Sequence, residues 1–169
     1  MKQVTGGGKR EAGGGKNLGR NPDPGPHVVL QPEGWARAVG YANGVSAEGR
    51  GVFVAGQIGW NPRTGEFETD SLVEQVKQAL ENVVGVLRAG GAEPGDVVRM
   101  TWFVTDKAEY VASRREIGVA YREVFGRYYP AMSVVFVSEL LEDRAKVEIE
   151  ATAVIGVREG DAQRSLFGE

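Results

Sequence analysis

The sequence predicts an α+β or α/β domain built on a mixed sheet, and the order of its patterns is the main reason. Two strand-like runs come first, followed by a helix, a strand, a second helix and two closing strands, with turn residues between them. The strand-like runs are rich in β-branched and aromatic residues, whereas the helical segments carry apolar residues every three or four positions. A chain of 169 residues is expected to form one domain around a single core.

The first helix is the clearest element. Ser71 and Glu74 form a capping box at its start, and the pair Gly90-Gly91 ends it. The apolar positions between them recur at helical spacing: Leu72, Val76, Ala79, Leu80, Val83 and Leu87. We expect this face to pack on the sheet.

The second helix starts at a similar box, Asp106 to Glu109, and is expected to end before Gly126 and Pro130. Its apolar positions are Tyr110, Ile117, Tyr121 and Phe125. Gly118 lies inside this helix, and because glycine is a poor helix former we expect a weak point there.

Five segments are predicted as strands: 41–47, 51–59, 98–105, 132–139 and 145–155. The fourth of these is apolar on both faces, since Met132, Val134 and Phe136 alternate with Val135 and Val137. Two helices cover only one face of a sheet. We therefore expect copies of the same chain to cover the other face, which predicts a homo-oligomer.

Composition divides the chain and excludes several kinds of site. Residues 1–26 contain two glycine triplets and almost nothing apolar, which predicts a flexible leader, followed by a domain over 27–157 and a tail over 158–169.

The chain has no cysteine, so disulfides and thiolate sites are excluded. The single histidine, His27, lies at the edge of the leader and is not expected to serve a Ser-His-Asp triad or a multi-histidine metal site.

Charge and hydropathy indicate the partners and the cellular location that we expect for the protein. A formal net charge of −3 gives no general attraction to phosphate backbones or anionic lipid, so neither nucleic acid nor a membrane is the expected partner. No apolar run is long enough for a membrane span, and the basic N-terminus has no apolar segment behind it. We expect a cytoplasmic protein.

Three segments, in this order, resemble the Rid (YjgF, UK114) family: VAGQIGWNPRTGE at 54–66, ALENVVGVLRAGGAEPGDVVRMTWFVTD at 79–106 and YPAMSVVFVSELLEDRAKVEIEATAVI at 129–155. The resemblance extends over about residues 40–156. It implies a chorismate-mutase-like fold, with a mixed β-sheet and two main helices on one face. It also implies a homotrimer around a central barrel, with a ligand cleft at each subunit interface and with neither a metal nor an organic cofactor.

The best-known members of that family hydrolyse enamines and imines such as 2-aminoacrylate to 2-keto acids and ammonia. In them a Pro-Ala-Arg-Ser motif supplies an arginine that holds the substrate carboxylate in two hydrogen bonds. Here the motif reads Pro130-Ala131-Met132-Ser133, and methionine cannot make those bonds. Two further departures are Ala55, where the family has serine, and Gly118, which aligns with an asparagine. The substrate is therefore expected to differ from simple 2-imino acids, and one hypothesis is a ligand less acidic or more apolar than 2-aminoacrylate. Separately, the resemblance to family members that act on aminomuconate-like ring-cleavage products suggests a 2-aminomuconate-like compound.

The resemblance also assigns a catalytic candidate. Glu148 matches the family's glutamate that positions the attacking water, and period two places Glu148, Glu150 and Thr152 on the strand face opposite the helices. The alternative for Glu148 is a salt bridge between subunits, with Arg99 or Arg144 as partner.

The candidate substrate-binding residues are Tyr41, Ala55, Gly56, Gln57, Trp60, Met132 and Ser133. Tyr41 either donates to a ligand or caps the cleft, and Trp60 either walls the pocket or packs under its loop. Met132 occupies the position of the family arginine, and Arg127 or Arg144 is the candidate to supply the missing positive charge.

Two functions from different classes remain open. One is an enamine or imine deaminase-type hydrolase that uses Glu148. The other is a small-molecule-binding or regulatory protein that kept the cleft without the chemistry. RNA binding, attributed to some relatives, is disfavoured by the acidic composition and by the lack of a candidate catalytic histidine.

Overall fold

The computed structural model describes residues 27–156, and the predicted leader and tail lie outside this range. Within it the chain forms six strands and three α-helices. In chain order they are β1 His27–Leu30, β2 Gly44–Ala47, β3 Arg50–Ile58, α1 Leu72–Ala89, β4 Val97–Val104, α2 Lys107–Ala112, α3 Arg114–Phe125, β5 Ala131–Phe136 and β6 Val147–Ile155.

The main sheet has the strand order β3-β6-β4-β5. Strand β6 runs antiparallel to both of its neighbours, whereas β4 and β5 are parallel, so the sheet is mixed. Strands β1 and β2 form a separate antiparallel pair. The Ala42 amide donates to the Pro130 carbonyl at 2.9 Å, which ties the start of β2 to the start of β5. The predicted α+β class with a mixed sheet is confirmed.

Helices α1 and α3 cover one face of this sheet and form the core with it. All six apolar positions predicted for α1 are buried, and Met100, Trp102 and Ile149 meet them from the sheet. Ser71 caps α1 by accepting from the Glu74 amide, but the reciprocal bond of the predicted capping box is not formed. The Ser71 amide donates to Thr69 Oγ1 instead, and the Glu74 carboxylate accepts from the Thr69 hydroxyl. The opposite face stays open in the single chain, where the Phe53 side chain is 79% exposed.

The structure differs from the predictions in the second helix. The helix is divided at Ser113, where φ is −97° and ψ is 8°, and not at Gly118, which lies inside the continuous α3. Burial of Ile117, Tyr121 and Phe125 against α1 and the sheet offsets the poor helix propensity of glycine.

Strand boundaries also differ from the predictions. Strand β1 was not predicted, because four residues next to a proline-rich stretch are too short for a clear pattern. Strands β2 and β6 begin later than expected, at Gly44 and Val147, and β5 ends early at Phe136. None of the helices in the range 27–156 is long and apolar enough to cross a membrane.

Two buried polar side chains fix the connection between β3 and α1. Asn82 donates to the carbonyls of Ile58 and Trp60, both at 3.0 Å. Gln75 donates to the carbonyls of Thr69 and Arg144 and accepts from the Lys146 amide. Since these bonds join backbone groups at the ends of β3 and β6 and in the loop before α1 to side chains of α1, they hold the loop beyond the end of β3 in one position.

Candidate functional site

Strand β3 contains a bulge at the predicted Gly-Gln turn. The ladder with β6 shifts between Val54 and Gln57, so one extra residue of β3 is accommodated there. The Gln57 side chain donates to the carbonyls of Ala55 and Gly56, both at 3.2 Å. These bonds fold the side-chain amide of Gln57 back over the bulge and stabilise the bulged backbone.

The Glu148 carboxylate lies directly over Gly56. A β-carbon built at position 56 would come within 1.7 Å of Glu148 Oε1, so only glycine leaves room for this carboxylate. Glu148 is half-buried, between Ile58 of β3 and Phe103 of β4 in the ladder. No salt bridge joins Glu148 to another residue in the range 27–156. Its oxygens are therefore placed to accept from a water molecule or a ligand.

Arg144, one candidate for a cation near Glu148, is already engaged within the chain. Its guanidinium contacts Asp70 Oδ1 at 2.8 Å and 3.2 Å, donates to the Phe67 carbonyl and lies over the Phe67 ring. Within the chain Arg144 therefore pairs with Asp70, and its suggested contacts with Glu148 of another subunit or with a ligand stay predictions. Arg99 lies on the open face of the sheet with Thr101, Glu150 and Thr152.

Tyr41 lines a separate pocket of about 850 Å³ between the β1–β2 connection and the segment before β5. Around this pocket lie Trp35, Arg37, Asn43, Arg127 and Tyr129. Arg127, unlike Arg144, therefore shares a pocket with Tyr41. Sequence reasoning missed Trp35 and Arg37, although both stand just before Tyr41 in a polar and aromatic stretch.

Met132 and Ser133 point to opposite sides of β5. Met132 pairs with the buried Met100 and packs against the hydrophobic core, whereas Ser133 pairs with Thr101 and is exposed on the open face. Trp60 packs against Phe67, with ring centroids 6.4 Å apart, and so lies under its loop.

The candidate residues thus fall into two groups on different strands of the sheet. Ala55, Gly56, Gln57 and Glu148 lie on β3 and β6, whereas Tyr41, Met132 and Ser133 lie at or beside β5. Three strand spacings of about 4.8 Å separate β3 from β5, or roughly 14 Å, and two spacings, or roughly 10 Å, separate Glu148 on β6 from β5. One chain does not bring the two groups together.

Two tyrosines behind the Tyr41 pocket are structural. Tyr128 donates to the Val97 carbonyl at 2.7 Å, and Tyr121 donates to the Tyr128 carbonyl at 2.8 Å. Burial, together with the nearby Asp96 carboxylate, raises the pKa of Tyr128 to about 12, and burial also raises the pKa of Tyr121. Both phenols therefore stay protonated at neutral pH. Within the range 27–156, no group of three or more His, Asp or Glu side chains is placed to hold a metal ion.

Comparison with known proteins agrees with this architecture. The family model described as Endoribonuclease L-PSP matches residues 34–155. A RutC family protein from Pyrococcus horikoshii is 36% identical over 126 residues, which cover 74% of this chain and 95% of that protein. The 2-iminobutanoate/2-iminopropanoate deaminase of Escherichia coli is 37% identical over 130 residues, which cover 75% of this chain and 96% of the deaminase.

A solved structure of a family member also matches this chain. YyfB from Yersinia pestis, a member of the conserved Rid protein family, matches with a TM-score of 0.69 and 32% identity. The match covers 77% of this chain and 99% of YyfB. With the order of the sheet, the bulge at Gly56 and the carboxylate over it, these likenesses lead to one conclusion: the chain belongs to the Endoribonuclease L-PSP family, the family of the Rid (YjgF) proteins.

Proposed function

We propose that this protein hydrolyses the C=N bond of a reactive imine or enamine and releases ammonia. The observation that carries the proposal is the Glu148 carboxylate, which lies over Gly56 without a salt-bridge partner in the range 27–156. The Escherichia coli relative named as a 2-iminobutanoate/2-iminopropanoate deaminase supports this reaction class.

In the proposed reaction Glu148 accepts a proton from a water molecule as the water oxygen attacks the imine carbon. Glu148 returns this proton to nitrogen, which gives a carbinolamine. The proton of the carbinolamine hydroxyl then passes to the same nitrogen as the C=O bond forms and the C–N bond breaks, so that a carbonyl compound and ammonia leave. General base catalysis of this kind contributes roughly 10²- to 10⁴-fold to a rate. Backbone amides near Gly56 and Met132 are proposed to position the ligand.

The proposed active form is a homotrimer around a central barrel, with each site between two subunits. A second copy would supply the group around Tyr41 to the group around Glu148, because the two groups lie on different strands of one sheet and do not meet within one chain. The open face supports this arrangement, because Phe53 is largely exposed on it. The Thr101 hydroxyl on the same face is buried yet has no hydrogen-bond partner in the described part of the chain.

The proposed substrate differs from simple 2-imino acids, and a 2-aminomuconate-like compound is one example. Met132 offers neither charge nor donors where family members have arginine. Its side chain packs against the core instead.

The placement of Met132 favours a second candidate, a small-molecule-binding protein without catalysis. A cleft that lost its anchoring cation can still bind a ligand while no longer orienting it for attack. In this case Glu148 would contribute to binding or to a contact between subunits.

The deciding experiment measures ammonia release from imines and enamines generated in solution, including 2-iminobutanoate and 2-aminomuconate. Wild type is compared with Glu148→Gln, which keeps the shape of the side chain and removes the base. Turnover that is lost in the variant supports the hydrolase. Ligand binding by both proteins without turnover on any compound supports the second candidate.

A further inference from the structure

We propose that Arg99 of one subunit pairs with Glu150 of the next subunit across the open face of the sheet, so that three identical ion pairs link the trimer. The inference rests on the trimer of the proposed function and goes beyond it by naming the side chains that set how the copies meet. It concerns assembly alone and can be measured without any turnover.

The first argument is that the open face carries two opposite charges without counterions. Arg99 lies on β4 and Glu150 on β6, and both residues are exposed in the single chain. Neither forms a salt bridge with another residue in the range 27–156, whereas Arg144 and Lys146 each pair with a carboxylate. Both charges are therefore available to a partner of opposite sign.

The strand ladder fixes where these two charges lie. Arg99 stands opposite Thr152 and Glu150 stands opposite Thr101, so the charged residues are diagonal neighbours on adjacent strands. Both line a depression of about 320 Å³ on the open face. One side of this surface is positive and the other is negative, which makes it complementary to a second copy of itself.

The second argument is the apolar surface that flanks the two charges. Phe53 on β3 is 79% exposed, and Val135 on β5 is 41% exposed. A copy that buries these side chains also removes water from Arg99 and Glu150, which lie on the two strands between them. Because a desolvated charge without a partner is strongly unfavourable, covering this face requires each charge to meet one of opposite sign.

The third argument is the buried hydroxyl of Thr101. It belongs to the residue opposite Glu150 and has no hydrogen-bond partner in the part of the chain that the structure describes. Buried hydroxyl groups in folded proteins are nearly always hydrogen-bonded. A guanidinium from the next subunit has five N–H donors, enough for the Glu150 carboxylate and for this oxygen.

A ring of three subunits satisfies both charges of every copy. In a cyclic trimer each contact joins two different surface patches, so the Arg99 side of one subunit meets the Glu150 side of the next. The pairs also fix the register of the contact, because sliding one sheet along the other brings like charges together. Since Arg99 then pairs with Glu150, Glu148 stays available as the proposed base.

Charge reversal followed by sedimentation equilibrium on the full chain tests the pairing. Arg99→Glu and Glu150→Arg should each raise the concentration at which half of the trimer dissociates by about 100-fold, since like charges then face each other. The double variant should return to within about tenfold of wild type, because the pair is restored in reverse. Arg88→Glu is the matched control: Arg88 lies on α1, on the other face of the sheet, and its reversal should leave the trimer unchanged.

A mixture of the two single variants shows whether the pair joins different subunits. In a mixed ring one contact joins the two introduced charges, and another joins the native Arg99 and Glu150. The mixture should therefore form trimers at concentrations at which either variant alone is monomeric. A pair within one chain gives no such recovery, because each variant carries its two like charges with it.

Circular dichroism checks that each variant is folded, and Arg99→Gln with Glu150→Gln replaces a reversal that fails to fold. The neutral variants should each weaken the trimer, and their double variant should weaken it by less than the sum of the two. A trimeric wild type that neither reversal weakens would overturn the inference, as would an equal loss in Arg88→Glu or a mixture without recovery. A wild type that is monomeric at every concentration refutes the proposed trimer together with the pairing. Absence of turnover on any imine bears on the hydrolase alone.

Discussion

The backbone of Gly56 and the carboxylate of Glu148 are in contact across neighbouring strands. A β-carbon on Gly56 would lie 1.7 Å from Glu148 Oε1 and 2.8 Å from its Cγ. The conflicting atoms belong to the end of a flexible side chain and not to the backbone. A residue larger than glycine would therefore move the carboxylate and leave the sheet unchanged.

Gly56→Ala is expected to lower kcat about 100-fold while changing the free energy of unfolding by less than about 1 kcal/mol. Ammonia release and urea unfolding measure the two effects on one preparation. Gly59→Ala is the contrasting variant, because its β-carbon would meet the Cα and Cβ of Gln75 at 2.6 Å and 2.5 Å. Since the backbone of α1 cannot move aside, this variant should cost about 1–3 kcal/mol of stability. Wild-type turnover in Gly56→Ala would contradict the role of Glu148.

Met132→Arg is expected to add activity on 2-iminobutanoate. If the position corresponds to the family arginine, a guanidinium there would hold the substrate carboxylate and raise kcat/KM by about tenfold or more. The change should also lower stability by about 1–2 kcal/mol, since Met132 packs against the core beside Met100. Met132→Leu is the control that keeps an apolar side chain without the charge. An equal kcat/KM in both variants would show that the position does not face the ligand.

The elements that follow from local patterns were predicted from the sequence. The N-cap at Ser71, the apolar face of α1 and the alternation along β6 each depend on neighbouring residues, and the structure reproduces all three. The break at Ser113, where ψ is 8°, was missed because serine occurs at many positions inside helices. No local signal at Ser113 is as strong as the glycine at 118.

The candidate site was less accessible to prediction from the sequence. Family motifs indicated Glu148 and Gly56, but their contact depends on the bulge that shifts β3 against β6. Arg37 and Arg127 are 90 positions apart in the sequence and line one pocket, next to which the Ala42 amide donates to the Pro130 carbonyl. Single-sequence reasoning has no means of detecting such a pair.

Phe53→Glu is expected to dissociate the proposed trimer. Phe53 lies on the open face of β3, is 79% exposed in the single chain and pairs with Thr152. A neighbouring subunit would desolvate a carboxylate at this position. Burying an unpaired carboxylate is far less favourable in free energy than leaving it in water. Leu141→Glu is the control, because Leu141 is 94% exposed and lies in the connection before β6.

Sedimentation equilibrium measures the mass of both variants, and ammonia release or ligand binding is read in parallel. Phe53→Glu should sediment as a monomer and lose function, whereas Leu141→Glu should match wild type. A wild type that is itself monomeric at high concentration would exclude the proposed arrangement of the site between subunits.

Alkaline pH is expected to remove the contribution of Tyr128 to stability. The ordinary tyrosine pKa of 10.0 is raised to about 12 in the folded protein by burial and by the Asp96 carboxylate. The native state therefore holds this proton more tightly than the unfolded chain does. It follows that the contribution is complete below pH 10 and is lost progressively between pH 10 and 12.

Tyr128→Phe removes both the titrating group and the hydrogen bond to the Val97 carbonyl. At pH 8 the variant should be less stable than wild type by about 1 kcal/mol, because that carbonyl loses its donor. The gap should narrow as pH rises above 10, since only wild type then loses the contribution of this phenol. Urea unfolding at several pH values measures the gap directly. Phe125→Leu, a core change without a titrating group, should keep a constant deficit across the same range. A deficit of Tyr128→Phe that stays constant to pH 12 would show that burial does not hold the phenol in its protonated form.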